Sequence, residues 1–440
     1  MSRQGITYPP QRDAGSVTTT LAPPEPPVAP TPSTATSGAG QDLFAEIASR
    51  FVQCGAAGLV MVDTSPLEAV DRLYGAKIYG QVAHEIERKL YEVAGQHAPP
   101  EEIGRLPGNA HEQIALLLFR RRSDYDFYRE TLPAIANELA DQMPRLCRRV
   151  LAPYMPDQQT FHVGHALAMH NPSLQAERLI GKALLEAREA AELNRRNAAL
   201  AARREFIEVL LADRIGSIYE KIVHLPSCQV YGYEALVRGP WGTPLHSPAE
   251  LFRMAEQTDL VFELDCMCRQ SALRGAVGKL PPGRKLFLNC LPSAIHDPNF
   301  KDSALDKTLS AVGLHPRDVI FEISEAEAIK NYAIFREFRD HYRTMGFRFA
   351  LDDTGTGYSS LSALMELSPD FIKIDRSLVK SVHSDPSRQV LLRALKSLAD
   401  QLGARVIAEG VEVKEEFDTV VELGIQFAQG FYFGRGGPLL

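Results

Sequence analysis

Short apolar or β-branched runs, each closed by a polar side chain, recur through the last 210 residues: VYGYE, KLFLN, VIFE, FRFALDD, FIKID and RVIAE. They end on Glu234, Asn289, Glu322, Asp352 with Asp353, Lys373 and Glu409, and Gln429 closes the series in FAQGFYF. Amphipathic stretches such as LFRMAEQTDLVFELDCMCRQSALRGA and SRQVLLRALKSLADQLGA fill the gaps. Strands alternating with helices over residues 214–440 suit one closed parallel barrel, whose C-terminal strand ends converge on one rim. Carboxylates gathered there repel one another and shift their pKa values upward unless a cation neutralises them. The pattern therefore predicts bound divalent metal, and more than one ion.

The earlier chain reads differently. Residues 1–40 hold eight of the 29 prolines among many Ser, Thr and Ala; such a segment buries too little apolar area to offset its ordering entropy and reads as a disordered tail. Over 41–172 the pattern predicts one smaller α/β or α+β domain. DLFAEIASRFVQC is a helix, GLVMVD a strand, PLEAVDRLYGAKIYGQVAHEIERKLYEV two helical stretches, and IALLLF and TFHVGHALAMH further strands. His162 and His165 fall on opposite strand faces and make poor co-ligands, and the cluster Arg120–Arg122 reads as a solvated loop. Asn171-Pro172-Ser173 marks a helix start, and helical spacing then runs to about 213. This long helix over 173–213 is either a plain connector or a signalling and dimerisation element.

Composition narrows the function. Apolar residues make up 45% and charged residues 23%, ordinary for a globular chain, and the net charge of −7 offers no basic field for nucleic acid or an acidic membrane. The chain has no apolar run of 18 residues to span a membrane, and MSRQGITYPPQRD lacks the apolar core of a signal peptide. Six scattered cysteines include a lone Cys266-x-Cys268, read as a buried thiol pair rather than a metal site, and the set suits a reducing cytoplasm.

Glu234, Asn289, Glu322 and Asp352 are hard oxygen ligands suited to Mg²⁺ or Mn²⁺. Adjacent Asp352 and Asp353 allow one carboxylate to bridge two ions, the arrangement that clamps the attacking and leaving oxygens of a phosphoryl displacement. Lys373 can hold the attacking water or offset charge in the transition state. Arg238, four residues after Glu234, is a phosphate clamp, and DDTGTGYSS is a Gly-rich loop placed to close over substrate. These residues leave a metal-dependent hydrolase or a lyase open and do not name the substrate.

The ordered motifs do more. Glu234-Ala235-Leu236 with Arg238, Asn289 with Pro292, EISE containing Glu322 and Glu325, DDTGTGYSSL, KID at 373–375, EGVE at 409–412 and Gln429-Gly430 together resemble the EAL family of cyclic di-GMP phosphodiesterases. The resemblance implies a modified (β/α)₈, TIM-like barrel with one antiparallel strand, hydrolysing cyclic di-GMP to linear pGpG. It implies a first metal on Glu234, Asn289, Glu322 and Asp352, and a second on Asp352 with Asp353 and Glu409, the last being a ligand or a general base. Lys373 would contact the nucleophilic water, Glu325 would anchor the DDTGTG loop, and Arg238, Leu236, Glu412 and Gln429 would line the substrate. The chain departs from the family at Glu220, where an amide that touches the nucleotide is usual, and at Thr354, Leu291 and Gly436. These departures keep a non-catalytic cyclic di-GMP receptor, signalling to a protein partner, as the alternative. The family also implies a homodimer. The middle domain resembles a degenerate GGDEF domain: Asp63 is retained in LVMVDTSPLEAVDRLYG, Ser65 replaces the second acid, and RLPGNAHEQIALLLF stands where the signature would be. Cyclase activity is not expected of it.

Overall fold

The computed structural model describes residues 37–440 except 107–112, 152–153, 155–159, 301, 325–326, 328–331, 355–363, 365–367 and residue 440. The chain divides into two compact units, Met1–Arg195 and Arg196–Leu440.

In the first unit, β1 (Gly55–Asp63) lies between β3 (Gln113–Arg121) and β4 (His162–Met169), with the short β2 (Ile103–Arg105) on the outer side of β3. Every pairing in this sheet is antiparallel. The unit is therefore α+β, where alternating elements in the sequence also allowed α/β. The reason is topological: β2 and β3 form a hairpin, so each helical crossover joins strands that are parallel but separated by a neighbour, a split βαβ arrangement. Helices α2 (Leu67–Tyr74), α3 (Ala76–Ala94) and α4 (Leu132–Leu151) bury Val70, Ile86, Leu90, Ile135 and Leu139 against one face, around Val60, Val62 and Leu118. On the other face α1 (Ser37–Cys54) and the start of α5 (Ala176–Leu211) pack Phe51, Ile180 and Ala183 on Leu59 and Leu117. Gly164 permits this close helix approach, since a Cβ there would lie 1.9 Å from the Ala187 carbonyl oxygen.

Two local expectations change. Asn171 does accept a hydrogen bond from the Ser173 N–H at 2.9 Å, but it closes a turn, and the helix begins at Ala176. Arg120 and Arg121 lie on β3 rather than in a loop, and half-buried Arg120 pairs with Glu102 at 2.8 Å. The expected signature turn falls almost wholly at 107–112, outside the described residues.

The second unit is a closed eight-stranded barrel. Its strands are β5 (Gly216–His224), β6 (Gln229–Arg238), β7 (Lys285–Asn289), β8 (Val319–Ser324), β9 (Arg348–Thr354), β10 (Phe371–Ile374), β11 (Arg405–Ala408) and β12 (Phe427–Ala428). Pairing is parallel from β6 round to β12, and β5 closes the ring antiparallel to both β12 and β6. The amphipathic run after β6 is two helices, α6 (Pro248–Thr258) and α7 (Val261–Ala276), broken where Asp259 takes a left-handed φ of 57°. Cys266 and Cys268 on α7 are half-buried and, two residues apart on a helix, do not form a thiol pair. Outward-facing Leu286, Phe321, Phe349 and Val406 pack under the surrounding helices. Inside, Ile222, Phe287, Ile320, Ala350, Phe371, Ile407 and Phe427 form a separate apolar cluster with Tyr231. Tyr231 lies 4.6 Å, centroid to centroid, from Phe427 and 5.9 Å from Phe371, so aromatic rings plug the barrel.

Candidate active site

Side chains of a strand alternate between faces, so the interior residue two beyond each member of the apolar plug lies in the next layer toward the C-terminal rim. The pairs are Phe287 and Asn289, Ile320 and Glu322, Ala350 and Asp352, Phe371 and Lys373, Ile407 and Glu409, Phe427 and Gln429. On β5 the direction reverses: Ile222 is in the plug and Glu220, two residues earlier, lies in the polar layer directly opposite Glu234 in the register. On β6 an extra residue, Tyr231, sits between the paired positions Val230 and Gly232.

Lys373 is the centre of this layer. It is 1% exposed, and its Nζ lies 2.7 Å from Glu409, 2.9 Å from Glu322, 3.2 Å from Asp352 and 3.3 Å from Glu234. Four acids, three on β6, β8 and β9 and Glu409 just past β11, thus face one ammonium. Burial works against the charged lysine, but the surrounding carboxylates outweigh it and hold its proton firmly. Burial pushes Glu322 and Glu409 well up, and neighbouring carboxylates add to this. Burial raises Asp352 as well. Glu234 goes the other way: burial raises it, but Lys373 and a 2.6 Å hydrogen bond from Gln429 Nε2 lower it further. The Asn289 amide donates to both Glu234 and Glu322 at 3.3 Å.

Adjacent Asp352 and Asp353 should point to opposite faces of a regular strand. A bulge brings both to the rim. Between β9 and β10, Leu351 pairs with Ile372 and Thr354 with Ile374, so two aspartates stand opposite Lys373 alone. Such bulges re-aim side chains beside active sites. Asp353 takes the left-handed φ of 57° that this requires, and its N–H donates to Asp352 Oδ1 at 3.0 Å. Burial, then the charge of Asp352, raises the Asp353 carboxyl.

These residues suit divalent cations. Ligand atoms of Glu234, Glu322 and Asp352 lie within 4.8 Å of one another, and so do those of Asp352, Asp353 and Glu409; the groups share Asp352. The donors are all oxygen, and one lysine leaves most of the carboxylate charge uncompensated. The Gln429 Oε1 is also buried without a hydrogen-bond partner among the described residues.

Other candidate residues stand apart from the cluster. Glu220 is half-buried and raised by burial and by Glu234. Arg238 donates to the Val237 carbonyl at 2.6 Å; burial lowers it, with Glu220 and Glu234 near enough to oppose that. Leu236 lines a cavity of about 210 Å³ beside Asn289. Glu412 pairs with Arg376 at 2.8 Å, away from the lysine. Glu325 and the loop 355–363 lie outside the described residues. Thr354 is fully buried and its hydroxyl has no partner among the described residues. Gly430 brings the end of β12 to the 409–412 segment: at φ 142° a Cβ there would be 2.3 Å from the Val411 carbonyl. The Val411 N–H consequently reaches the Gln429 carbonyl at 3.0 Å. A support that sequence reading passed over is buried Arg269, paired with Asp265 and, at 2.9 Å, with Asp297. Asp265 in turn accepts from the Leu291 N–H at 3.2 Å, two residues past Asn289. Its only sequence signal was the charge spacing Asp265-x-x-x-Arg269 in an otherwise apolar helix face.

Residues 203–436 match the family model of the EAL domain. The chain belongs to the EAL family. It is 34% identical over 221 residues to the probable cyclic di-GMP phosphodiesterase PdeG of Escherichia coli K12, covering 49% of this chain and 43% of that protein. It is 29% identical over 331 residues to an uncharacterized signaling protein of Caulobacter vibrioides, covering 70% of this chain and 39% of that protein. The chain spans less than half the length of these curated relatives. Among solved structures, the cGMP-bound EAL enzyme Bd1971 superposes with a TM-score of 0.50 at 23% identity, covering 66% of this chain and 84% of that one, a likeness of fold. No described helix is long and apolar enough to cross a membrane.

Proposed function

We propose that this EAL barrel hydrolyses one phosphodiester bond of cyclic di-GMP to give linear pGpG. The observation that carries this reading is Lys373 within 3.3 Å of four carboxylates, flanked by two acidic groups that share Asp352. Glu234, Asn289, Glu322 and Asp352 would hold one Mg²⁺ or Mn²⁺, and Asp352, Asp353 and Glu409 a second; such ions neutralise phosphodiester charge and acidify water. Lys373 keeps a permanent positive charge at the reacting phosphate, in a buried setting where it is worth more than in water. Glu409, where it is not a ligand of the second ion, would accept the proton of the attacking water. Gln429 fixes the orientation of Glu234. Arg238 and Leu236 sit where the substrate would lie, and Glu412 helps shape that wall through Arg376. The first unit, resembling a degenerate GGDEF domain, is read as regulatory, and a homodimer and a cytoplasmic location accompany the reading.

A second reading, a receptor that binds cyclic di-GMP without cleaving it, is favoured by Glu220, an acid facing Glu234 where a dianionic ligand would bind. One assay separates the two. Purified chain is incubated with cyclic di-GMP and Mg²⁺ or Mn²⁺, and products are resolved by chromatography, with Glu234→Ala as control. Production of pGpG that the control lacks supports hydrolysis. Tight binding without product under either metal supports the receptor, and neither binding nor product removes both.

A further inference from the structure

The opposite end of the barrel has a site of its own. At the N-terminal mouth, below the aromatic plug, a cavity of about 410 Å³ opens between the end of β5 and the starts of β6, β7, β11 and β12. Arg284, immediately before β7, and Arg405, the first residue of β11, both line it, together with His224, Gln229 and Gln426. Tyr231 and Phe427 form its apolar wall. No acidic residue lines it. Neither arginine has a carboxylate partner among the described residues; Arg405 instead lies over the Phe371 ring at 5.9 Å.

The two guanidiniums without carboxylate partners, in a cavity with no acidic lining, point to an anionic ligand. Guanidiniums call for an oxyanion, which they bind through paired N–H donors. The volume falls in the range of about 300–1,000 Å³ typical of small-molecule sites.

We propose that this cavity binds a small phosphorylated or carboxylated metabolite, at a site separate from the carboxylate layer. The layer of aromatic rings lies between the two, so the inference stands whether or not the barrel hydrolyses cyclic di-GMP. It also places a ligand directly on Tyr231 and Phe427, and Phe427 is two residues from Gln429.

The test is isothermal titration of the full chain stripped of divalent cations and then dialysed free of chelator, which keeps both metal and competing carboxylates from the protein. The probes are ribose 5-phosphate, unphosphorylated ribose and inorganic phosphate. Ribose 5-phosphate is expected to bind and ribose not to. The double variant Arg284→Ala/Arg405→Ala should weaken binding at least tenfold. It should keep wild-type thermal unfolding, and neither arginine belongs to the carboxylate layer. Inorganic phosphate binding as well as the sugar phosphate, and equally sensitive to the arginines, supports an oxyanion site filled by the free ion. Absence of binding by both phosphates at millimolar concentration overturns the proposal. So does binding that the double variant leaves unchanged.

Discussion

The aromatic plug and the charged layer above it are made by the same strands, two residues apart, yet they obey opposite physics. In the plug, Phe287, Phe371, Phe427 and Tyr231 attract any apolar neighbour, and their burial stabilises the barrel with or without a ligand. In the layer above, Glu234, Glu322, Asp352 and Glu409 repel each other, and Lys373 offsets only part of their charge. The plug holds the barrel closed; the upper layer is a destabilised arrangement that the plug supports. Function is gathered where the fold is electrostatically strained, and stability where it is not.

That contrast makes separable predictions. The largest effect is expected in the charged layer. Glu234→Ala and Lys373→Met should each lower kcat/KM for cyclic di-GMP by about 10³-fold or more, comparable to removing a principal electrostatic group from an active site; Glu234→Ala should leave the unfolding temperature little changed, whereas Lys373→Met strands buried carboxylates and should lower it. In the plug the effect should be on stability. Phe371→Ala opens a void among rings 5.5–6.0 Å apart and should cost about 3–5 kcal/mol in chemical denaturation, while the folded fraction retains metal binding. A Phe371→Ala chain that is stable but inactive, or a Glu234→Ala chain that is active but unstable, would break the division.

Much of this was legible in the sequence, and for a definite reason. A strand alternates faces with period two, so Phe-x-Asn, Ile-x-Glu, Phe-x-Lys, Ile-x-Glu and Phe-x-Gln announce a plug residue and a rim residue on one face. What was not legible breaks the period or the direction. Glu220 precedes its plug residue because β5 runs antiparallel, and nothing in the local pattern of GSIYEKIVH reports strand direction. The bulge that lets Asp352 and Asp353 act together depends on the register of β9 against β10, a non-local property. Tyr231 breaks the two-residue step on β6 for the same reason. In the first unit the elements were recognisable, but the antiparallel sheet depends on the pairing of β2 with β3, which no local pattern reports.

A third prediction concerns pH in metal-free protein. Glu322 and Glu409 have folded-state pKa values raised by burial, so the folded state binds protons that the unfolded state releases above about 4.5. Their contribution is fully present below that pH and is lost as pH rises through the raised values, at up to about 1.4 kcal/mol per pH unit for each proton. Unfolding temperature in chelator should therefore fall on going from acid toward neutral pH. Saturating Mn²⁺ should flatten the profile, and Glu322→Gln should reduce the slope while Phe371→Ala leaves it intact. A chelated protein whose stability does not fall over this interval would show that Lys373 alone balances the layer.

The smallest effect is expected at Glu220, where the two layers exchange order. Glu220 stands directly across from Glu234, and like charges so placed on neighbouring strands cost about 0.2–1 kcal/mol. The half-buried Glu220 carboxyl is raised by burial and by Glu234. Glu220→Gln removes its charge while preserving shape. It should tighten cyclic di-GMP binding and lower KM by up to about fivefold, the rate equivalent of 1 kcal/mol, with kcat unchanged because Glu220 touches neither Lys373 nor the shared aspartate. The gain should grow with pH in the wild-type comparison, since Glu220 ionises further as pH rises and the amide does not. If Glu220→Gln instead lowers kcat, then the acid on the antiparallel strand takes part in the chemistry and belongs to the catalytic layer rather than beside it.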